Sequence, residues 1–336
     1  MSLKDGKSRL LALIRLSGAA QLIQELLKGN RKAIARAISI MENGRPEAQE
    51  ILSQIYPHTN RAHIVGFTGP GGAGKSSLIE KIVKALREKN KKIGIIAVDP
   101  SSTFSGGAFL GDSIRMQELS LDEEVFIRSM ATRNNQGGLA RATKNAVALL
   151  DAAGKDAIIV ETVGAGQSEV DIIKVAHTVV VVFAPGLGDE IQAIKAGIME
   201  IGDIFVVNKA DRENANKAAI DIQAMLELGT NKSSWAPPVV KTSALSGEGV
   251  SELISEMDRH RKYLKTGALE TRRKRAIEAE LVEAIKERIA QKVVNELKET
   301  GEFNEIVQKI MAREIDPYSA AEELSAKKLG KTKLSH

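Results

Sequence analysis

The chain has 336 residues, enough for one large core or two modest ones, with ordinary hydrophobic (43%) and charged (27%) fractions but only 3% aromatics. The formal charge of +5, from 48 basic and 43 acidic residues, is spread thinly, and Arg272-Arg273-Lys274-Arg275 is the single short basic cluster. It reads as a solvated helix start rather than a nucleic-acid face, which needs clustered cations and stacking aromatics. There are no cysteines, which excludes disulfides and thiolate metal sites, and no apolar run approaches the ~18 residues of a membrane span. Together with the lack of a signal-peptide apolar region, this predicts a soluble cytoplasmic protein that binds neither membrane nor nucleic acid.

From the N-terminus to about Pro57 the pattern is helical. Ile34, Ala37, Ile38 and Met41 fall at helical spacing, and Gly29 and Gly44 supply stops. We read residues 1–58 as an N-terminal helical segment without chemistry of its own. From His63 onward short apolar runs alternate with helical stretches: Ile64–Phe67, Ile93–Val98, Val125–Ile127, Ala157–Val160, Val179–Phe183, Ile204–Val207 and Val239–Val240. That alternation predicts an α/β domain over residues 59–265, a mostly parallel sheet flanked by helices, with ligands at the carboxyl ends of its strands.

The first run ends in Gly69-Pro70-Gly71-Gly72-Ala73-Gly74-Lys75-Ser76, which fits G-x-x-x-x-G-K-[ST] between a strand and an amphipathic helix beginning near Ser77. A glycine-rich turn lets backbone N–H groups converge on phosphate oxygens, and the helix start adds partial positive charge. Gly69, Gly71, Gly72, Ala73, Gly74, Lys75, Ser76 and Ser77 are therefore expected around the phosphates. Lys75 would reach the β/γ-phosphates and the Ser76 hydroxyl would ligate Mg²⁺. Two acids follow strands, Asp99 in D-P-S-S and Glu161 in E-T-V-G. Mg²⁺ takes one or two carboxylates beside phosphate oxygens and water, so Asp99 and Glu161 are expected on the metal or the attacking water, although Asp99 also suits a helix cap. Gly164 would contact the γ-phosphate through its N–H, making 164–169 a switch segment.

Asn208-Lys209-Ala210-Asp211 follows the sixth run directly and fits N-K-x-D. A carboxylate at Asp211 can accept from both N1–H and the N2 amine of guanine, a pair of donors that adenine lacks. Asn208 would brace this loop and Lys209 would lie along the base. Ser243-Ala244-Leu245 after the last run fits the loop whose backbone contacts the guanine oxygen. GTP and GDP with Mg²⁺ are the expected ligands. His177 is expected to be a satisfied structural histidine. Asp112 and Arg115 suit either a partner or phosphate contact or an exposed helix start.

Beyond about Leu264 the strand signal stops. Ile277, Leu281, Ile285, Ile289, Val293 and Leu297 recur every fourth residue on a long helix, and a second helix is expected from Glu302 to Met311. This stripe must bury itself on its own domain or on a partner. We read 266–336 as a helical arm and tail.

The loops GPGGAGKSSLIEKI, VDPSSTFSGGAFLGDSIRM, ETVGAGQSEVDI, APGLGDEIQAIKAGIMEIGD and VVNKAD, in that order, resemble the methylmalonyl-CoA mutase-associated GTPases of the MeaB/ArgK type, over about residues 31–264. The resemblance implies a SIMIBI-class P-loop GTPase, usually homodimeric through its C-terminal arm. Such a protein hydrolyses GTP and acts as chaperone for an adenosylcobalamin-dependent acyl-CoA mutase, gating cofactor loading and protecting the enzyme. It implies catalytic roles for Lys75, Asp99 and Glu161, and a partner-sensing loop over 185–195 with Asp189, Glu190 and Lys195 at charged positions. Asp99, then Gln167, are the candidates for orienting water. Gly71 stands where many members carry proline, and Ser113 where the G-D-R-I-R-M loop carries arginine. The alternatives are a phosphotransferase, after the arginine-transport kinase label of relatives, and a nickel-insertion GTPase. A chain without cysteine or a histidine run argues against the latter.

Overall fold

The computed structural model describes residues 18–99, 116–131, 138–162, 172–186, 198–228 and 234–329. Asp112, Ser113, Arg115, Gly164, Gln167, Asp189, Glu190 and Lys195 lie outside these residues, as does the side chain of Asp99. The fold is the expected α/β P-loop NTPase fold with helices before and after the sheet. The chain divides into two compact units, Met1–Thr266 and Gly267–His336.

The first unit opens with α1 (residues 18–27), α2 (Arg31–Glu42) and α3 (Glu47–Ile55). Gly29 ends α1 with a left-handed φ of 82°, and Asn30 caps α2 by accepting from the N–H groups of Lys32 and Ala33. The buried stripe of α2, from Ala33 to Met41, is the one its periodicity predicts. Seven strands follow: β1 (His63–Thr68), β2 (Ile93–Asp99), β3 (Val125–Ala131), β4 (Ala157–Thr162), β5 (Thr178–Phe183), β6 (Ile204–Val207) and β7 (Val239–Lys241). Between them run α4 (Lys75–Glu88), α5 (Gly138–Ala152) and α6 (Ala215–Leu228), and α7 (Val250–Tyr263) follows β7. Every strand pairing is parallel, in the order β3-β2-β4-β1-β5-β6-β7.

Strand side chains alternate between two cores, because successive Cβ atoms point to opposite faces. Ile64, Ile158, Val181 and Phe205 share one core with α1–α3. Val65, Ile159, Val180 and Val206 share the other with Leu78, Ile79, Ile82 and Val83 of α4 and with Leu253, Ile254 and Met257 of α7. Covered on both faces, each strand reads in sequence as a continuous apolar run. Since β1 is central and the chain continues first to β2 on one side and later to β5 on the other, the loop after β1 sits where the strand order reverses. Such a crevice is where α/β sheets bind ligands.

The second unit holds α8 (Leu269–Glu299), α9 (Glu302–Met311) and α10 (Pro317–Leu329). Here the apolar stripe divides. A four-residue repeat on a 3.6-residue helix advances about 40° per step, so Ile277 and Leu297 lie about 200° apart around the axis. Leu297 is buried, whereas Ile277, Leu281, Ile285 and Ile289 remain 53%, 58%, 48% and 44% exposed. Among the described residues no helix is long and apolar enough to cross a membrane.

Candidate nucleotide site

The loop between β1 and α4 is held by contacts that only glycine permits. Gly69 has φ 132°, and a Cβ there would stand 2.1 Å from the Val182 carbonyl oxygen on β5. Gly74 has φ 87°, and its added Cβ would meet the Asn208 amide at 2.5 Å. The loop is thus pressed against the ends of β5 and β6 on one side. Its other side is open: Gly71 and Gly72 are exposed, and a Cβ on either would meet nothing within 4 Å. A larger residue at Gly71 would therefore meet no packing obstacle at its Cβ.

Gly74 is also the N-cap of α4 and offers no side-chain cap. The first-turn N–H groups therefore face the loop with a helix dipole behind them, an arrangement suited to an anion. Lys75 is buried, its Nζ donating to the carbonyl oxygens of Gly69 (2.7 Å) and Pro70 (3.0 Å). These carbonyls hold the ammonium inside the loop.

The Ser76 hydroxyl donates to Glu161 Oε1 at 2.7 Å. Glu161 lies in register with Phe67 of β1 and Ala97 of β2, which brings its carboxylate to the phosphate-loop end of the sheet. A hydroxyl and a carboxylate this close form a hard-oxygen donor set that fits Mg²⁺, which needs few protein ligands because phosphate and water complete its shell. Among the described residues no group of three or more His, Asp or Glu side chains forms a denser metal site. Asp99 closes β2 at the same sheet end, in register with Ala131. Thr162 adds a buried bond to Thr68 (3.0 Å) that ties β4 to the root of the loop.

The second half of the site hangs on Asn208, 0% to 1% exposed together with Thr242 and Ser243. Its Nδ2 donates to the carbonyl oxygens of Ala73 (2.9 Å) and Gly74 (3.3 Å), and its Oδ1 accepts from Thr242 Oγ1 (3.2 Å) and the Ala244 N–H (3.1 Å). Lys209, at φ 58°, folds back so that Nζ donates to the Gly72 carbonyl at 2.7 Å. The Lys209 stem thus spans the phosphate loop.

Asp211 is exposed and accepts from Ser243 Oγ at 2.6 Å. That hydrogen bond, ahead of the backbone and of Arg212 and Lys209, holds its carboxyl below the usual carboxylate range. It stays ionised and offers lone pairs outward. The 243–249 loop closes through Ser243 N–H to Glu248 O (3.0 Å) and Gly247 N–H to Ser243 O (2.8 Å). Gly249, at φ 72°, lets α7 start hard against the end of β7, where a Cβ would stand 2.0 Å from the Lys241 carbonyl oxygen. Ser243 is buried, Ala244 half-buried and Leu245 exposed.

The structure thus gathers Gly69 to Ser77, Glu161, Asn208 to Asp211 and Ser243 to Leu245 at one sheet end. Sequence reading passed over Thr242, a hydroxyl at the last strand's end, and it passed over the close approach at Gly249.

Comparison with known proteins agrees with this geometry. A family model described as methylmalonyl Co-A mutase-associated GTPase MeaB matches residues 34–298. A putative GTPase of Pyrococcus abyssi is 50% identical over 306 residues, covering 90% of this chain and 94% of its own. The mouse protein named methylmalonic aciduria type A homolog, mitochondrial, is 37% identical over 275 residues, 75% of this chain and 66% of its own. A solved structure described as LAO/AO transport system kinase superposes with a TM-score of 0.69 at 26% identity, covering 92% of this chain and 97% of that one.

Proposed function

The chain belongs to the methylmalonyl Co-A mutase-associated GTPase MeaB family, and from that premise we propose that its GTPase cycle serves an adenosylcobalamin-dependent acyl-CoA mutase as a chaperone. It is a SIMIBI-class P-loop GTPase that binds GTP and GDP with Mg²⁺ and hydrolyses GTP. The observation that carries the mutase reading is the family match, which runs past the nucleotide domain through most of α8. The mouse relative, named for methylmalonic aciduria, supports the same assignment. Gating of cofactor loading and protection of the mutase are the proposed outputs, in the cytoplasm.

In this reading Gly69, Gly71, Gly72, Ala73, Gly74, Ser77 and Gly164 surround the phosphates. Lys75 exchanges its two loop carbonyls for phosphate oxygens. Ser76, Glu161 and Asp99 would hold the metal, and Asp99 is the first choice for orienting water. Bound Mg²⁺ supplies charge neutralisation for phosphoryl transfer, which otherwise needs mainly positioning. Asp211 reads guanine, Asn208 and Lys209 brace its loop, and Ser243, Ala244 and Leu245 border the base. The loop over 185–195 senses the partner. We place the working divisions at 1–58, 59–265 and 266–336. The last, with the exposed half of its α8 stripe, pairs two copies into a homodimer.

The test is retention of purified mutase by the immobilised full chain, with GDP and with a non-hydrolysable GTP analogue. Nucleotide-dependent retention is expected, and failure to bind any such mutase in either state would sink the proposal. Because a similar structure is described as a transport system kinase, the same preparation should be incubated with labelled GTP. Label is expected in free phosphate, and transfer to a protein or small-molecule acceptor would favour a phosphotransferase.

A further inference from the structure

We infer that Thr242 is a positioning residue that makes binding of the base and binding of the phosphates cooperative. The inference rests on the nucleotide-site reading above and adds a residue and a coupling to it.

Thr242 grips the turn after β6 in three places. Its N–H donates to Val207 O (2.9 Å), its carbonyl accepts from the Ala210 N–H (2.9 Å), and its hydroxyl donates to Asn208 Oδ1 (3.2 Å). It is 0% exposed, so solvent offers its hydroxyl no substitute partner. A neutral amide has two acceptor sites and two donors. At Asn208 both acceptor sites are taken from the base-loop side, by Thr242 and the Ala244 N–H. Both donors are spent on the phosphate-loop side, on Ala73 and Gly74. One fully satisfied amide therefore joins the two halves of the site.

The amide has one workable orientation. Turned over, it would set its N–H₂ against the Ala244 N–H and its oxygen against two carbonyl oxygens. Whatever orders the Ser243–Leu245 loop thus fixes Asn208, and a fixed Asn208 fixes the carbonyls of Ala73 and Gly74 just before α4. The same path runs in reverse from an occupied phosphate loop. A ligand that orders one side lowers the cost of ordering the other, which is positive coupling between two subsites of one site. The Thr242 hydroxyl is a member of this junction that a substitution can remove while leaving the Asn208 amide and the backbone bonds in place.

The experiment measures binding of magnesium pyrophosphate to the full chain by calorimetry, with and without saturating guanosine, in wild type, Thr242→Val and Thr242→Ser. Wild type should bind pyrophosphate about fivefold or more tighter when guanosine is present. Thr242→Val, equal in shape but without the hydroxyl, should bring that ratio below about twofold, and Thr242→Ser should restore it. A residue that only stabilised the fold would lower the melting temperature and leave the ratio unchanged. The wild-type protein gives a second readout free of any variant: pyrophosphate alone should slow hydrogen exchange at the Ala244 amide, which belongs to the base loop.

A ratio near one in wild type, a ratio unchanged in Thr242→Val, or an Ala244 amide indifferent to pyrophosphate would each overturn the inference. A failed guanine reading looks different: Asp211→Asn would then leave GDP affinity unaltered.

Discussion

The end of the sheet opposite the nucleotide carries a buried histidine whose titration makes a quantitative prediction. His63, at the start of β1, lies beside Thr178 at 2.8 Å, and Thr178 in turn lies 2.9 Å from His260 Nδ1 on α7. Burial first, then His177, Arg261, His260 and Lys265, lowers the His63 pKa from 6.5 to about 3. The folded protein therefore refuses a proton that the unfolded chain accepts. At pH 7 the folded site is neutral and the unfolded histidine only about a quarter charged, so the group costs little. Below pH 6.5 only the unfolded state gains the proton, so stability falls with acidification until the folded pKa near 3 is reached. At about 1.4 kcal/mol per pH unit once the unfolded histidine is charged, the loss between pH 7 and pH 5 is about 2 kcal/mol. His63→Gln keeps an N–H donor for Thr178 and removes the titration. Urea unfolding followed by the single tryptophan, Trp235, whose ring lies 4.6 Å from that of His260, reports on this region. The wild type should lose about 2 kcal/mol more than His63→Gln between the two pH values. Parallel pH dependences for the two proteins would refute the reasoning.

Other consequences follow from the site and the arm. Asp211→Asn should move preference from GTP toward xanthosine triphosphate, whose exocyclic oxygen accepts where the guanine amine donates; competition binding reads this directly. Gly69→Ala should cost more than about 2 kcal/mol in urea unfolding and abolish GDP binding, since its Cβ would stand 2.1 Å from a backbone oxygen at φ 132°. Gly71→Ala, in open space, should stay within about 0.5 kcal/mol of wild type. For the proposed homodimer, Leu281→Asp, on the exposed half of the α8 stripe, should halve the mass measured by light scattering and leave GTP hydrolysis by the isolated chain unchanged.

Much of the nucleotide domain was legible because a parallel sheet buried on both faces writes each strand as an apolar run, and all seven runs became strands. The phosphate loop and N-K-x-D were legible because their chemistry is local in the chain. Contacts formed across large sequence separations were not. Asn208 meets Ala73, and His63 meets Thr178, through pairings set by strand order, which no local pattern encodes. Lys209 likewise reaches the Gly72 carbonyl through its Nζ, a contact far apart in sequence. The α8 stripe shows a different limit. Periodicity says which residues share a helix face, and it is silent on what covers them. The slow rotation of a four-residue repeat lets Leu297 be buried while Ile277 to Ile289 stay outward. The loops expected to sense the γ-phosphate and the partner fall outside the described residues, so their reading rests on the sequence alone.

The proposed function makes the nucleotide site report to another protein. Its most direct test is the rate of phosphate release from GTP by the full chain, with and without a purified adenosylcobalamin-dependent acyl-CoA mutase. Hydrolysis should be slow alone and clearly accelerated with the mutase, and the acceleration should be lost in Lys75→Ala. A rate indifferent to every such mutase, with no complex formed in the presence of a non-hydrolysable GTP analogue, would contradict it.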